Sequence, residues 1–130
     1  MKPFRMKEHT PTEHQEQAGL FAWARLRRAA LPELDMLAAV PNGGARNRVT
    51  GAMLKAEGVS SGFPDMFLFC PRGGFHGLAI ELKRVNGGTV SPQQTDWLAR
   101  LAAQGYKATV AFGAAEAIEI IEAYLAADHE

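Results

Sequence analysis

Residues 63–83, FPDMFLFCPRGGFHGLAIELK, decide the fold. Phe67, Leu68 and Phe69 read as a strand that stops at Pro71-Arg72-Gly73-Gly74, and Leu78, Ile80 and Leu82 alternate with other residues in a second strand leaving that turn. Asp65 lies eight residues before Gly73 and Glu81 eight after it, so a hairpin centred there, with no bulge, sets the two acids opposite each other. Their Cβ atoms are then about 5 Å apart. Side chains alternate along a strand, so Lys83 shares the face of Glu81 while Leu78, Ile80 and Leu82 turn into a core. Two carboxylates at that separation repel unless a proton or a cation neutralises them. A divalent metal is the obvious cation, since one or two carboxylates with several retained waters is how Mg²⁺ is usually held.

Working outward, 130 residues of 47% hydrophobic content fit one globular domain, 1–130, with its core at about 12–125. The single cysteine, Cys70, falls in the first hairpin strand, so there is no disulfide framework and nothing that suggests secretion. No apolar run approaches the ~20 residues of a membrane span. The polar start Met1-Lys2-Pro3-Phe4-Arg5 is no signal peptide, and the expected location is the cytoplasm. The 14 basic and 14 acidic residues cancel, which by itself argues against a nucleic-acid binder. Their distribution is uneven: residues 1–112 carry +5 and the remainder −5, so a basic body can still face a polyanion.

Upstream, Thr12 reads as the N-cap of a helix running to about Ala30, with Glu13 and Glu16 in its dipole-favourable first turn. Leu20, Phe21 and Ala24 follow its buried spacing, and Glu13 and Gln17 lie one turn apart on a flank. From local sequence Glu13 is either an exposed helix-start acid or a third acid reaching the hairpin. Leu34–Val40 reads as a short strand closed by Pro41-Asn42-Gly43-Gly44. Arg46 and Arg48 follow in a Gly-rich segment that either is simply solvated or clamps a phosphate approaching the backbone. Thr50–Glu57 reads as a helix carrying Lys55 and ended by Gly58, and Ser60-Ser61-Gly62 as a flexible lead into Pro64-Asp65.

Downstream, Val85–Thr89 is a loop, and Ser91 with Pro92 opens a helix whose buried stripe is Trp97, Leu98, Leu101 and Ala102. Gln93 and Gln94 project from its first turn. Lys107–Phe112 reads as a fourth strand, and Ala114–Ala127 as a last amphipathic helix with Ile118, Ile121 and Leu125 inward. The element order αβαββαβα predicts an α/β fold, a central mixed sheet of about four strands flanked by helices.

Pro64-Asp65 followed by Glu81-Leu82-Lys83 matches the P-D…(D/E)-x-K signature of restriction-endonuclease-like nucleases. The fuller set is more specific: Gly62-Phe63-Pro64-Asp65, Ala79-Ile80-Glu81-Leu82-Lys83-Arg84, Glu13-x-x-x-Gln17 with Trp23, Pro41-Asn42-Gly43-Gly44-Ala45-Arg46, Leu54-Lys55-Ala56-Glu57-Gly58, Ser91-Pro92-Gln93-Gln94 and Gly105-Tyr106. Over residues 12–125 the chain resembles a stand-alone VRR-NUC (virus-type replication-repair nuclease) domain.

That resemblance implies a metal-dependent deoxyribonuclease of restriction-endonuclease-like fold. Asp65 and Glu81 would hold Mg²⁺ or Mn²⁺, with Glu13 completing the site directly or through water and the Leu82 backbone carbonyl adding a ligand. Glu16 is the alternative to Glu13. Lys83 would act on the attacking water and on transition-state charge, and Gln94 would position substrate or Lys83. Gln17, Asn42, Arg46, Arg48, Lys55 and Arg84 would contact DNA. The resemblance extends to a homodimer cutting branched DNA such as four-way junctions, of phage or prophage origin, with no membrane and no organic cofactor. The competing reading is a non-catalytic DNA-binding module that retains the fold. A purely structural Glu81–Lys83 ion pair, worth at most ~1 kcal/mol at a surface, leaves the Asp65–Glu81 opposition unexplained.

Overall fold

A computed structural model of the chain describes residues 10–41 and 48–129. Its elements are α1 (Glu13–Arg27), a 3-10 turn (Pro32–Met36), β1 (Leu37–Ala39), α2 (Arg48–Ala56), β2 (Met66–Leu68), β3 (Leu78–Lys83), α3 (Pro92–Ala103), β4 (Lys107–Phe112) and α4 (Ala114–Ala126). The strands form one sheet in the order β1-β2-β3-β4. The first two pairings are antiparallel and β3–β4 is parallel, which gives the mixed α/β architecture expected from the element order. Because β3 and β4 run parallel, the chain must cross over between them, and α3 is that crossover.

The core lies between one sheet face and the helices α1 and α4. Met66, Leu68, Leu78, Ile80 and Leu82 of the sheet meet Leu20 and Ala24 of α1 and Ala117, Ile121, Tyr124 and Leu125 of α4. The opposite face carries Ala79, Glu81 and Lys83 and is covered by α3. Phe63 bridges the two, its ring 4.9 Å from Trp97 edge-on and 5.5 Å from Phe67.

The hairpin keeps the register that the spacing predicts, by a route the spacing does not show. Arg72 and Phe75 pair around a two-residue turn, with Gly73 at φ 57° and Gly74 at φ 83°, the doubly left-handed geometry of a type I′ turn. A turn centred between those glycines would, in a regular ladder, face Asp65 with Leu82. Three residues separate Leu68 from Arg72 but only two separate Phe75 from Leu78, and this extra residue shifts the pairing by one. The ladder therefore pairs Met66 with Ile80, Phe67 with Ala79 and Leu68 with Leu78. One step further, the same register sets Asp65 beside Glu81. The turn is held from below, where Gly73 N–H donates to Asp128 O at 2.7 Å and Tyr124 Oη to Cys70 O at 2.6 Å.

Several elements differ from the sequence reading. Only Leu37–Ala39 of the expected Leu34–Val40 strand is extended, because Pro32 starts a 3-10 turn that buries Leu34. The first hairpin strand is Met66–Leu68, and Phe69 beyond it is exposed. The first helix ends at Arg27, three residues before Ala30. β3 does not alternate in exposure: every residue from Leu78 to Lys83 is buried, because α3 covers its second face. The helix α3 has no fully buried residue; Trp97, Leu98 and Leu101 are half-buried and Ala102 is exposed. Ile118 of α4 is half-buried as well. The Ser60–Gly62 segment is tied down, since Trp97 Nε1 donates to Ser60 Oγ at 3.0 Å and a Cβ on Gly62 would lie 2.4 Å from the Gln93 carbonyl carbon.

Candidate active site

Asp65 immediately precedes β2, and its backbone carbonyl accepts from Val40 N–H at 2.7 Å. Its carboxylate is fixed by an N–H···O bond from Leu82 to Oδ2 at 2.7 Å. That bond also orients the Leu82 carbonyl. In a strand the N–H and C=O of one residue point to the same side, and those of successive residues alternate. Lys83 O accepts from Gly113 N–H on the β4 side, so the Leu82 groups face the opposite side, beyond the end of β2 and toward Asp65. The loop containing Asp65 depends on Gly62, whose φ of +85° and contact with α3 exclude a side chain.

Glu81 is 2% exposed. Its Oε1 accepts from Gln94 Nε2 at 2.7 Å and lies 3.6 Å from Lys83 Nζ. Its Oε2 is buried and has no hydrogen-bond partner among the described residues. Burial, and next the Asp65 carboxylate beside it, push the Glu81 carboxyl up to about 8, with Lys83 acting in the opposite direction. The Asp65 carboxylate is thus close enough to disfavour the ionised form of the buried Glu81.

Lys83, 8% exposed, is shared by two acids, with Glu13 Oε1 3.8 Å and Glu81 Oε1 3.6 Å from its Nζ. The two candidate helical acids are separated by their partners. Glu16 turns to α4, where Oε2 accepts from Ala114 N–H and caps a helix whose own N-cap, Gly113, has no side chain. Glu13 is the one that faces the site, through Lys83, with its side chain half in solvent. Among the described residues no group of three or more His, Cys, Asp or Glu side chains is placed to hold a metal ion. The carboxylates that converge are Asp65 and Glu81.

These groups form the foot of an open cleft of about 1460 Å³, larger than the roughly 300–1,000 Å³ of common small-molecule pockets. One wall is the α1 stripe of Glu13, Gln17, Phe21 and Arg25, and another comes from Leu54 and Lys55 of α2 with the 58–63 segment. Gln17 and Lys55 line the cleft, as do Arg25 and His14. Arg84 does not line it; it is half-buried, with Nε unpartnered among the described residues. Asn42 and Arg46 lie outside the described residues, as does the side chain of Arg48.

The sequence reading missed what holds Gln94. Ser91 Oγ accepts from Gln94 N–H at 3.1 Å and Gln94 Oε1 accepts from Ser91 N–H at 2.8 Å, a capping box signalled by Ser-x-x-Gln. Thr12 and Gln15 form the same box at the start of α1.

The VRR-NUC domain family model matches residues 5–115. Among solved structures, a VRR_NUC domain protein is similar at 29% identity and a TM-score of 0.79, over 93% of each chain. No curated protein matches.

Proposed function

The chain belongs to the VRR-NUC family, and from that premise we propose that it is a metal-dependent, structure-selective DNA endonuclease. Its substrate would be branched DNA such as four-way junctions, cut by a homodimer in phage or prophage replication, recombination or repair. The carrying observation is the Asp65–Glu81 pair at the foot of an open cleft, with Glu81 Oε2 buried and unpartnered among the described residues. A divalent cation would give that oxygen a partner and offset the burial and the Asp65 repulsion that raise the Glu81 carboxyl.

The donor set fits Mg²⁺ or Mn²⁺: two carboxylates and the Leu82 carbonyl are hard oxygen ligands, few enough to leave room for waters. Such an ion supplies Lewis-acid polarisation of the phosphoryl oxygen and an activated water. Asp65 and Glu81 would hold it, with Asp65 kept in place by Leu82 N–H. The Lys83 ammonium, buried beside Glu81, is preorganised to orient the attacking water and offset negative charge on the phosphorane-like transition state. Glu13, 3.8 Å from Nζ, would help hold Lys83 in place. Gln94, which donates to Glu81, would position that carboxylate as well as substrate or Lys83. Gln17, Arg25 and Lys55 would guide the DNA along the cleft.

A homodimer suits a 14.1 kDa chain, because two-fold symmetry supplies two cuts in opposed strands and doubles the surface that grips a junction. A DNA-binding module without catalysis gives no reason to keep a repelling acid pair. The reading is tested by incubating the protein with end-labelled four-way junction, flap, duplex and single-stranded DNA in Mg²⁺, Mn²⁺ or EDTA. Metal-dependent cutting strongest on the junction is expected. Binding without cutting on every substrate would favour the non-catalytic module, and equal cutting of all four would overturn structure selectivity.

A further inference from the structure

We propose that Ser91 is a positioning residue for the acid pair: the capping box that starts α3 sets which end of the Gln94 amide faces Glu81. A backbone N–H can only donate, so the bond from Ser91 N–H at 2.8 Å commits the Gln94 amide oxygen to the cap. The amide nitrogen is then the end presented to Glu81, where Nε2 donates to Oε1 at 2.7 Å. A flipped amide would set oxygen against oxygen at a buried carboxylate.

Ser91 also fixes the backbone from which that side chain springs. It holds the extended cap conformation, φ −74° and ψ 160°, and its Oγ takes the Gln94 N–H at 3.1 Å. Pro92 presets the next φ, and Gly62 packs against Gln93 from outside, so the turn has little room to shift. The α1 capping box of Thr12 and Gln15 lies exposed, whereas the α3 box ends on a carboxylate that is 2% exposed. With Oε1 occupied by Gln94, the unpartnered Oε2 is the oxygen left for a ligand. Partners that orient ligating groups in this way are worth about 10- to 100-fold in metal affinity.

The metal arm of the test rests on the nuclease reading; the amide arm does not. Wild-type, Ser91→Gly and Ser91→Pro proteins are compared by ¹⁵N NMR of the Gln94 side-chain amide in metal-free protein, and by calorimetric titration with Mn²⁺. Glycine is tolerated at N-caps and keeps the N–H that holds the Gln94 amide oxygen, whereas proline suits the φ of −74° but has no N–H. Ser91→Pro is expected to move the Gln94 amide signals toward those of free glutamine and to weaken Mn²⁺ binding about fivefold, below the loss for a direct partner. Ser91→Gly is expected to keep both close to wild type. If folded Ser91→Pro protein keeps the wild-type amide signals and Mn²⁺ affinity, Ser91 is a helix cap and nothing more. If wild-type protein binds no Mn²⁺, the nuclease reading fails and the amide signals alone decide the proposal.

Discussion

Asp65, one residue before β2, is set beside Glu81 by the register that pairs Met66 with Ile80, and Leu82 N–H donates to Asp65 Oδ2 at 2.7 Å. The fold therefore keeps two carboxyl groups together in a place where one of them is almost wholly buried. Such an arrangement costs stability in the absence of a cation and sets direction and sign for what substitutions do.

Asp65→Asn removes one of the two charges and retains an oxygen for the Leu82 N–H. The metal-free variant is expected to melt higher than wild type, by a few tenths to about 1 kcal/mol, while cleavage falls at least about 100-fold. Thermal denaturation and a cleavage assay on the same preparation check the pair of effects. A lower melting temperature together with retained cleavage would contradict it.

The pH dependence follows from Glu81. Its carboxyl is raised from 4.5 to about 8 in the folded protein, so between those values the native state holds a proton that the unfolded chain has released. Stability from this source is fully present below about 4.5 and is lost as pH rises through about 8. The metal-free protein should accordingly melt lower at pH 8 than at pH 5.5, and metal affinity should rise over the same interval. Binding at pH 7 should release close to one proton, read from the dependence of the calorimetric heat on the ionisation enthalpy of the buffer. A flat melting profile with no proton release would count against a raised Glu81.

Glu13 and Glu16, one turn apart on α1, should behave differently. Glu16→Ala strips the cap from Ala114 N–H and is expected to cost about 1 kcal/mol of stability. Glu13→Ala, with a side chain half in solvent, is expected to leave the melting temperature within about 0.5 kcal/mol of wild type and to lower cleavage instead. The reverse pattern would move the helical acid of the site to Glu16.

Much of the sheet was legible in the residues. The spacing around Gly73 placed Asp65 against Glu81, yet it did so because the Gly73-Gly74 turn and the extra residue before it offset each other. Ser91 and Thr12 announced their helices. What was illegible is tertiary. No local signal shows that α3 would bury the second face of β3, that Glu16 would cap a helix 98 residues away, or that the backbone of Gln93 would close on Gly62. The Ser-x-x-Gln box was in plain view, but that its glutamine ends on Glu81 depends on how α3 packs.

Gly62→Ala tests that packing. A Cβ there meets the Gln93 backbone at 2.4 Å and sits at a φ of +85°, so the Asp65 loop or α3 must move. A loss of about 2 kcal/mol or more, with reduced metal affinity, is expected from strain and displacement together. A variant as stable as wild type would mean that the contact yields easily.

The central claim is that Asp65, Glu81 and Lys83 form a metal-dependent nuclease centre. The most direct measurement is single-turnover cleavage of a labelled four-way junction by wild-type, Glu81→Gln and Lys83→Ala proteins, each confirmed folded, in matched Mg²⁺ and EDTA buffers. Cutting by wild type in Mg²⁺ only, lowered at least about 100-fold in both variants, is the predicted result. Cutting that persists in EDTA, or that both variants retain, would contradict it.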